Sequence, residues 1–346
     1  MSNTTTPDSP GRPGVPRRLL LGAAVEPAND QLICTPPAIA GGRSALRSNN
    51  SNWPPGTNQV PHRIDRLRLA PGKAIAALGA LTLLLVHTPL YAQREFRVYE
   101  SLEGDDAYSE IPADYQKPGE FVVGRLMFPS NGIGPGSWSN ADWTQGGTSW
   151  AVDYPTADRR LAQILRRLTR IDVRSVEQPV NLDDGDDVYD WPFLMAGLPG
   201  SWDLSETQAA KLRDYLLRGG FLLCDSFFGT REWSGFIAGM QRVFPDRPII
   251  DLPASHPIFH IVYDLNDMHQ ISNWQALARG VKYRADGAVP HWRGIEDDNG
   301  RLMVVIAFNN DVGDSWQRAD EPDYPLEDVN LGLRLGVNFA IYAMTH

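Results

Sequence analysis

"SETQAAKLRDYLLRGGFLLCDSFF", residues 205–228, holds a helix, its stop and a strand in one run. Ser205 followed by Gln208 three places on is a capping-box start, in which each side chain satisfies a backbone amide that the helix leaves free. Gly219 supplies the left-handed residue on which helices commonly end. The apolar run that follows reads as a buried strand ending at Cys224, Asp225 and Ser226. A helix running into a buried strand is half of the repeating unit of a parallel sheet with helices packed on its faces.

The same alternation extends in both directions. "FVVGRLMF" (121–128) reads as the first strand and "TADRRLAQILRRLTR" (156–170) as a helix, with Leu161, Ile164, Leu165 and Leu168 on one face, Thr156 as N-cap and Asp158 in its first turn. "DVRSV" (172–176) reads as the second strand, "WPFLMAGL" (191–198) as the third and "GRLMVVIAFNN" (300–310) as another strong one, before a closing helix at 327–346. Residues 252–299 are less regular and read as an antiparallel edge or an insertion. The expected fold class is α/β, with a mostly parallel sheet and helices on both faces.

The first 92 residues differ from the rest. Residues 1–62 are rich in Pro, Gly, Ser, Asn and Thr without sustained periodicity, a composition that cannot bury enough apolar surface to order itself. At 63–92, Arg63, Arg66, Arg68 and Lys73 precede an apolar stretch from Ala74 to Val86, and "LYAQ" follows. This is the layout of a secretory signal peptide, or of a signal anchor using residues 74–88. Its position implies that Met1–Gln59 lies ahead of the true start. Residues 93–119 read as a linker and 120–346 as the domain, exported to the periplasm or cell envelope. The 346-residue chain has a formal charge of −10; without residues 1–92 it keeps 23 basic and 38 acidic residues, net −15. That excess disfavours nucleic acid and anionic lipid surfaces, and leaves the N-terminal apolar segment as the only expected membrane contact. Cys34 falls in the removed part, so Cys224 has no disulfide partner.

In an open parallel sheet, ligands meet the carboxyl ends of the strands. The long connection after the first strand carries Trp138, Trp143, Trp150, Asp153 and Tyr154 among small polar residues, and reads either as a cleft lined by aromatics or as a lid packing on itself. Cys224 is no nucleophile on an elbow: Leu222 stands where a small residue is needed, and strand alternation puts Leu222 and Cys224 on one face and Phe221 and Leu223 on the other. Asp225, at the tip of a buried strand, is either a cap on backbone amides or a site residue beside Ser226. Asp311 and Trp316, after the last strong strand, belong at the same tips. His256 is a candidate acid or base there. Pairing with His260 as metal ligands is opposed by Pro257, and no metal set and no cofactor are expected.

As an ordered set, "FVVGRLMFPSNG", "DYPTADRRLAQILRRLT", "YDWPFLMAGLPG", "LRDYLLRGGFLLCDSFFG", "HPIF" and "FNNDVGDSW" resemble the domain of unknown function 4159 family. The resemblance implies a flavodoxin-like three-layer sandwich close to the class I glutamine amidotransferase-like fold and the trehalose-utilisation-like domains. Glutamine amidotransferases use a Cys–His–Glu set with the cysteine on an elbow, and Cys224 does not match that context. The expected function is an exported, non-catalytic binding or scaffold domain for a small molecule, glycan or protein. Its ligand-binding residues would be Trp143, Trp150, Asp153, Ser226, Asp311 and Trp316. The alternative is a hydrolase of a glycan or other polar cell-envelope substrate, using Asp225 and His256.

Overall fold

The structure, a computed structural model, describes residues 96–103, 110–133 and 142–346. The readings of residues 1–62, of the segment 63–92 and of Trp138 lie outside the described residues. Among the described residues no helix is long and apolar enough to cross a membrane.

Seven strands form one sheet in the order β2-β1-β3-β4-β7-β6-β5. They are β1 (Gly124–Met127), β2 (Gln178–Asn181), β3 (Phe193–Gly197), β4 (Phe221–Asp225), β5 (Ile250–Asp251), β6 (His291–Glu296) and β7 (Leu302–Phe308). The five strands from β2 to β7 run parallel, whereas β6 is antiparallel to both β7 and β5. The sheet is therefore mostly parallel; the irregular 252–299 region supplies the antiparallel β6, and the edge strand itself, β5, lies just before that region.

The second strand is not where the apolar run at 172–176 placed it. Val173 makes one isolated bridge to Phe121, and β2 forms at Gln178–Asn181 instead. Pro179 lacks the amide that a central strand would need, and β2 sits at the sheet edge, where that loss is tolerated.

Two apolar layers sandwich the sheet. On one face Leu126, Leu194, Leu222, Cys224 and Ile306 meet α2 (Glu206–Leu217) and α3 (Gly229–Val243). On the other, Val123, Met195, Phe221, Leu223 and Val305 meet α1 (Thr156–Leu168) and the closing α6 (Leu326–Thr345). The alternation read in β4 is the one observed. Ser205 and Gln208 form the reciprocal capping box at the start of α2, and Gly219 lies beyond its end with φ +112°. Helix α1 begins at Thr156 itself, with Pro155 in the cap position and no side-chain cap.

Cys224 is fully buried against α2 and α3, and burial pushes its thiol well above the ordinary range. Its sulfur fills the layer between the sheet and these two helices. Cys224→Ala is expected to lower stability by about 1–2 kcal/mol as a small buried truncation. The native thiol should resist iodoacetamide at neutral pH, and rapid labelling of the folded chain would contradict this placement.

Candidate functional site

The strand tips bend sharply. Leu198 after β3, Ser226 after β4 and Asn309 after β7 all have positive φ (51°, 63° and 61°), and Asp153 joins them at 57°. Such backbone is costly outside glycine and clusters where a fold holds a functional constellation. Each turn is tied down. The Arg284 guanidinium donates to the Ser226 carbonyl and pairs with Glu232, while the Asn309 side chain accepts from the Gly229 amide. Beneath them Arg125 of β1 is fully buried. It grips both oxygens of Asp158 and donates to the Val152 carbonyl, fixing the turn that presents Asp153.

Four aspartates converge on this floor. Ser226 Oγ lies 2.9 Å from Asp311 Oδ1, 3.1 Å from Asp225 Oδ2 and 3.3 Å from Asp153 Oδ2. A hydroxyl carries one proton, so it can satisfy only one of the three carboxylates at a time. Asp225 accepts the amides of Val312 and Gly313, the first residues of α5 (Val312–Gln317). Asn273 Nδ2 donates to Asp311 (2.9 Å) and reaches Asp314 (3.3 Å), and Arg318 binds the other oxygen of Asp314. Gly313 is required beside them, because a Cβ there would stand 2.2 Å from Asp153 Oδ2.

The electrostatic result is consistent. Burial, then the charge of Asp311, pushes Asp153 and Asp314 well above the carboxylate range. The same two causes bring Asp225 up to about 7, against the pull of its backbone hydrogen bonds. Above this floor opens a cavity of about 590 Å³, lined by five carboxylates (Glu103, Asp153, Asp311, Asp314, Glu321) against three guanidiniums (Arg160, Arg284, Arg318). All three guanidiniums are already paired with carboxylates. Asp153, Asp311 and Asp314 each offer an oxygen within 4.8 Å of the others, an all-oxygen set that suits a hard cation such as Mg²⁺, Ca²⁺ or Mn²⁺.

Comparison with known protein families matches residues 141–344 to Domain of unknown function (DUF4159). The chain belongs to this family. No curated protein matches it. In this DUF4159 chain the match begins after β1, although β1 is an inner strand of the sheet and carries Arg125.

The site combines some residues expected from sequence and excludes others. Asp153, Ser226 and Asp311 line the cavity, and Asp225 lies directly beneath it. Asp225 also serves as a cap, but on α5 after β7 and not on the helix that follows its own strand. His256 is not there. Its ring sits 3.9 Å from Glu296 and edge-on to Phe259. Glu296 pairs with Leu302, where β7 begins, so this is the opposite end of the sheet from Asp225. Trp150 and Trp316 are corrected to core residues: both are fully buried, and their indole N–H groups donate to the carbonyls of Trp143 and Gly332. Trp143 packs against the core and also misses the cavity.

Three site residues escaped the sequence reading. Asp314 follows Asp311 at the spacing of an N-cap and its first turn, a signal that "DVGD" carries. Asn273 caps a four-residue helix, α4 (Trp274–Leu277), and Trp274 gives the cavity its aromatic wall while Arg318 stacks on its ring. Both lie in the region without periodicity.

The raised Asp225 pKa has a definite sign. A carboxyl that titrates at about 7 folded and 3.8 unfolded holds its proton more tightly in the folded chain. Its contribution to stability is full below about 4 and is lost as pH rises to about 7. Asp225→Asn removes this dependence. Relative to the parent, the variant is expected to gain stability steadily from pH 4 to 7 and to level off above. Urea midpoints measured across that range check it, and a constant difference would refute the raised pKa.

Proposed function

We propose that this chain is an exported, non-catalytic binding domain whose strand-tip cleft takes a small ligand with a cationic centre, either a divalent metal ion or an amine. The observation that carries the reading is the convergence of Asp153, Asp225 and Asp311 on one hydroxyl. Burial and mutual repulsion make the carboxyls crowded on this hydroxyl hold protons, and a cation is the ligand that would take the protons' place. The basic and apolar segment at 63–92 is what supports export.

The fold-level reading is a flavodoxin-like sandwich of the class I glutamine amidotransferase-like kind. The parallel strands run 2-1-3-4-7, which is the flavodoxin order with β7 in fifth place. The turn after β3 supports a non-catalytic role. Leu198 has the left-handed φ of an elbow nucleophile, with Ala196 two places before it and Gly200 two places after. The small neighbours of an elbow are present, but a three-residue 3-10 helix (Pro199–Ser201) follows, and the residue in the nucleophile's place is a leucine. The hydrolase alternative loses its pair, since Asp225 and His256 lie at opposite ends of the sheet.

Isothermal titration with Mg²⁺, Ca²⁺ and spermidine tests the proposal. At least one should bind at pH 7.5 and weaken when pH falls toward 5, as protons compete for the floor. Asp311→Asn should weaken it at least about tenfold, as loss of a buried charged partner does, without lowering the melting temperature. No binding by any of the three would overturn the reading.

A further inference from the structure

The segment before the domain does not hang free. Residues 96–103 lie along the 145–151 loop as a strap. The Gly147 amide donates to the Glu100 carbonyl (2.7 Å), the Glu100 amide to Gln145 (3.3 Å) and the Leu102 amide to Ala151 (3.0 Å). Tyr99 packs edge-on against the buried Trp150. Ser101 is buried.

The receiving loop is shaped for this contact. A Cβ on Gly146 would stand 2.4 Å from the Glu100 carbonyl oxygen, and its φ of +97° already favours glycine. The "QGGT" pair is therefore what lets the strap lie so close. At its end the strap delivers Leu102 and Glu103 into the cavity wall, where Glu103 accepts a hydrogen bond from Gln317 of α5.

We propose that Glu103, carried on this strap ahead of the matched family region, is a specificity-determining residue of the cleft. This rests on the cationic-ligand reading above and adds an element from outside residues 141–344. The floor carboxylates face the ligand from the strand tips. Glu103 faces it from the wall and extends the negative surface to a second side. Its charge already acts on the floor, helping to raise Asp153 after burial and Asp311. A ligand with two separated positive charges gains from both sides, and one with a single charge gains mainly from the floor.

The test uses the full chain. Hydrogen exchange should find the Leu102 and Gly147 amides protected, and Gly146→Ala should remove that protection. In titrations Glu103→Gln, which keeps the shape and an acceptor, should weaken spermidine about fivefold, the effect of one partly exposed charge. It should weaken methylamine little. Gly146→Ala should reproduce the loss by freeing the strap. Exposed amides in the parent would overturn the proposal without any ligand. So would unchanged spermidine affinity in Glu103→Gln beside lost affinity in Asp311→Asn, and in that case the floor would stand alone as the site. A parent chain that binds no cation at all overturns the cationic-ligand reading and this inference together.

Discussion

Negative charge packed at the ends of β3, β4 and β7 is the constraint around which the upper half of this molecule is arranged. Arg125 is the buried cation beneath it, and it is committed to Asp158 on both oxygens. What remains for the floor is Arg318 on one oxygen of Asp314, and otherwise dipoles: two helix-start amides for Asp225, one amide side chain for Asp311 and Asp314, and one hydroxyl shared three ways. Dipoles hold carboxylates in place without cancelling their charge. The left-handed turns at Asp153, Leu198 and Ser226 add backbone strain at the same spot. Charge repulsion and strain meet here in an otherwise well-packed domain, a pattern expected where a fold holds a functional constellation.

Much of the framework was legible because it rests on local rules. The capping box of Ser205 and Gln208, the glycine stop and the alternation through Cys224 are set within a few residues and appear as read. The rule that parallel sheets place ligands at strand ends brought Asp225, Ser226 and Asp311 to one place, and the structure joins them through the serine hydroxyl. What failed depended on tertiary packing. A tryptophan in a glycine-rich connection has the same sequence signature whether it faces a cleft or fills a core, and Trp150 and Trp316 fill the core. His256 belongs to a region without periodicity, so nothing in its neighbourhood fixed which end of the sheet it would occupy. The partnership of Asp153 with Asp314 joins segments about 160 residues apart, and no spacing rule reaches that far.

The strap shows a related limit. Residues 93–119 have the composition of a connector, and 96–103 and 110–119 nonetheless lie on the domain: Arg159 stacks over Phe96, and Asp114 pairs with Arg166. Each contact is weak alone. Their sum, with three backbone hydrogen bonds to one loop, turns a linker into a wall.

The sheet edges carry a consequence for how this domain can meet others. Strands left open at an edge invite pairing with a neighbouring chain. Here one edge is β2, where Pro179 removes a donor, and the other is β5, only two residues long. Neither offers a backbone ladder long enough to extend. Both edges of the described sheet are thereby poor templates for strand addition, the route to domain swapping and fibrils.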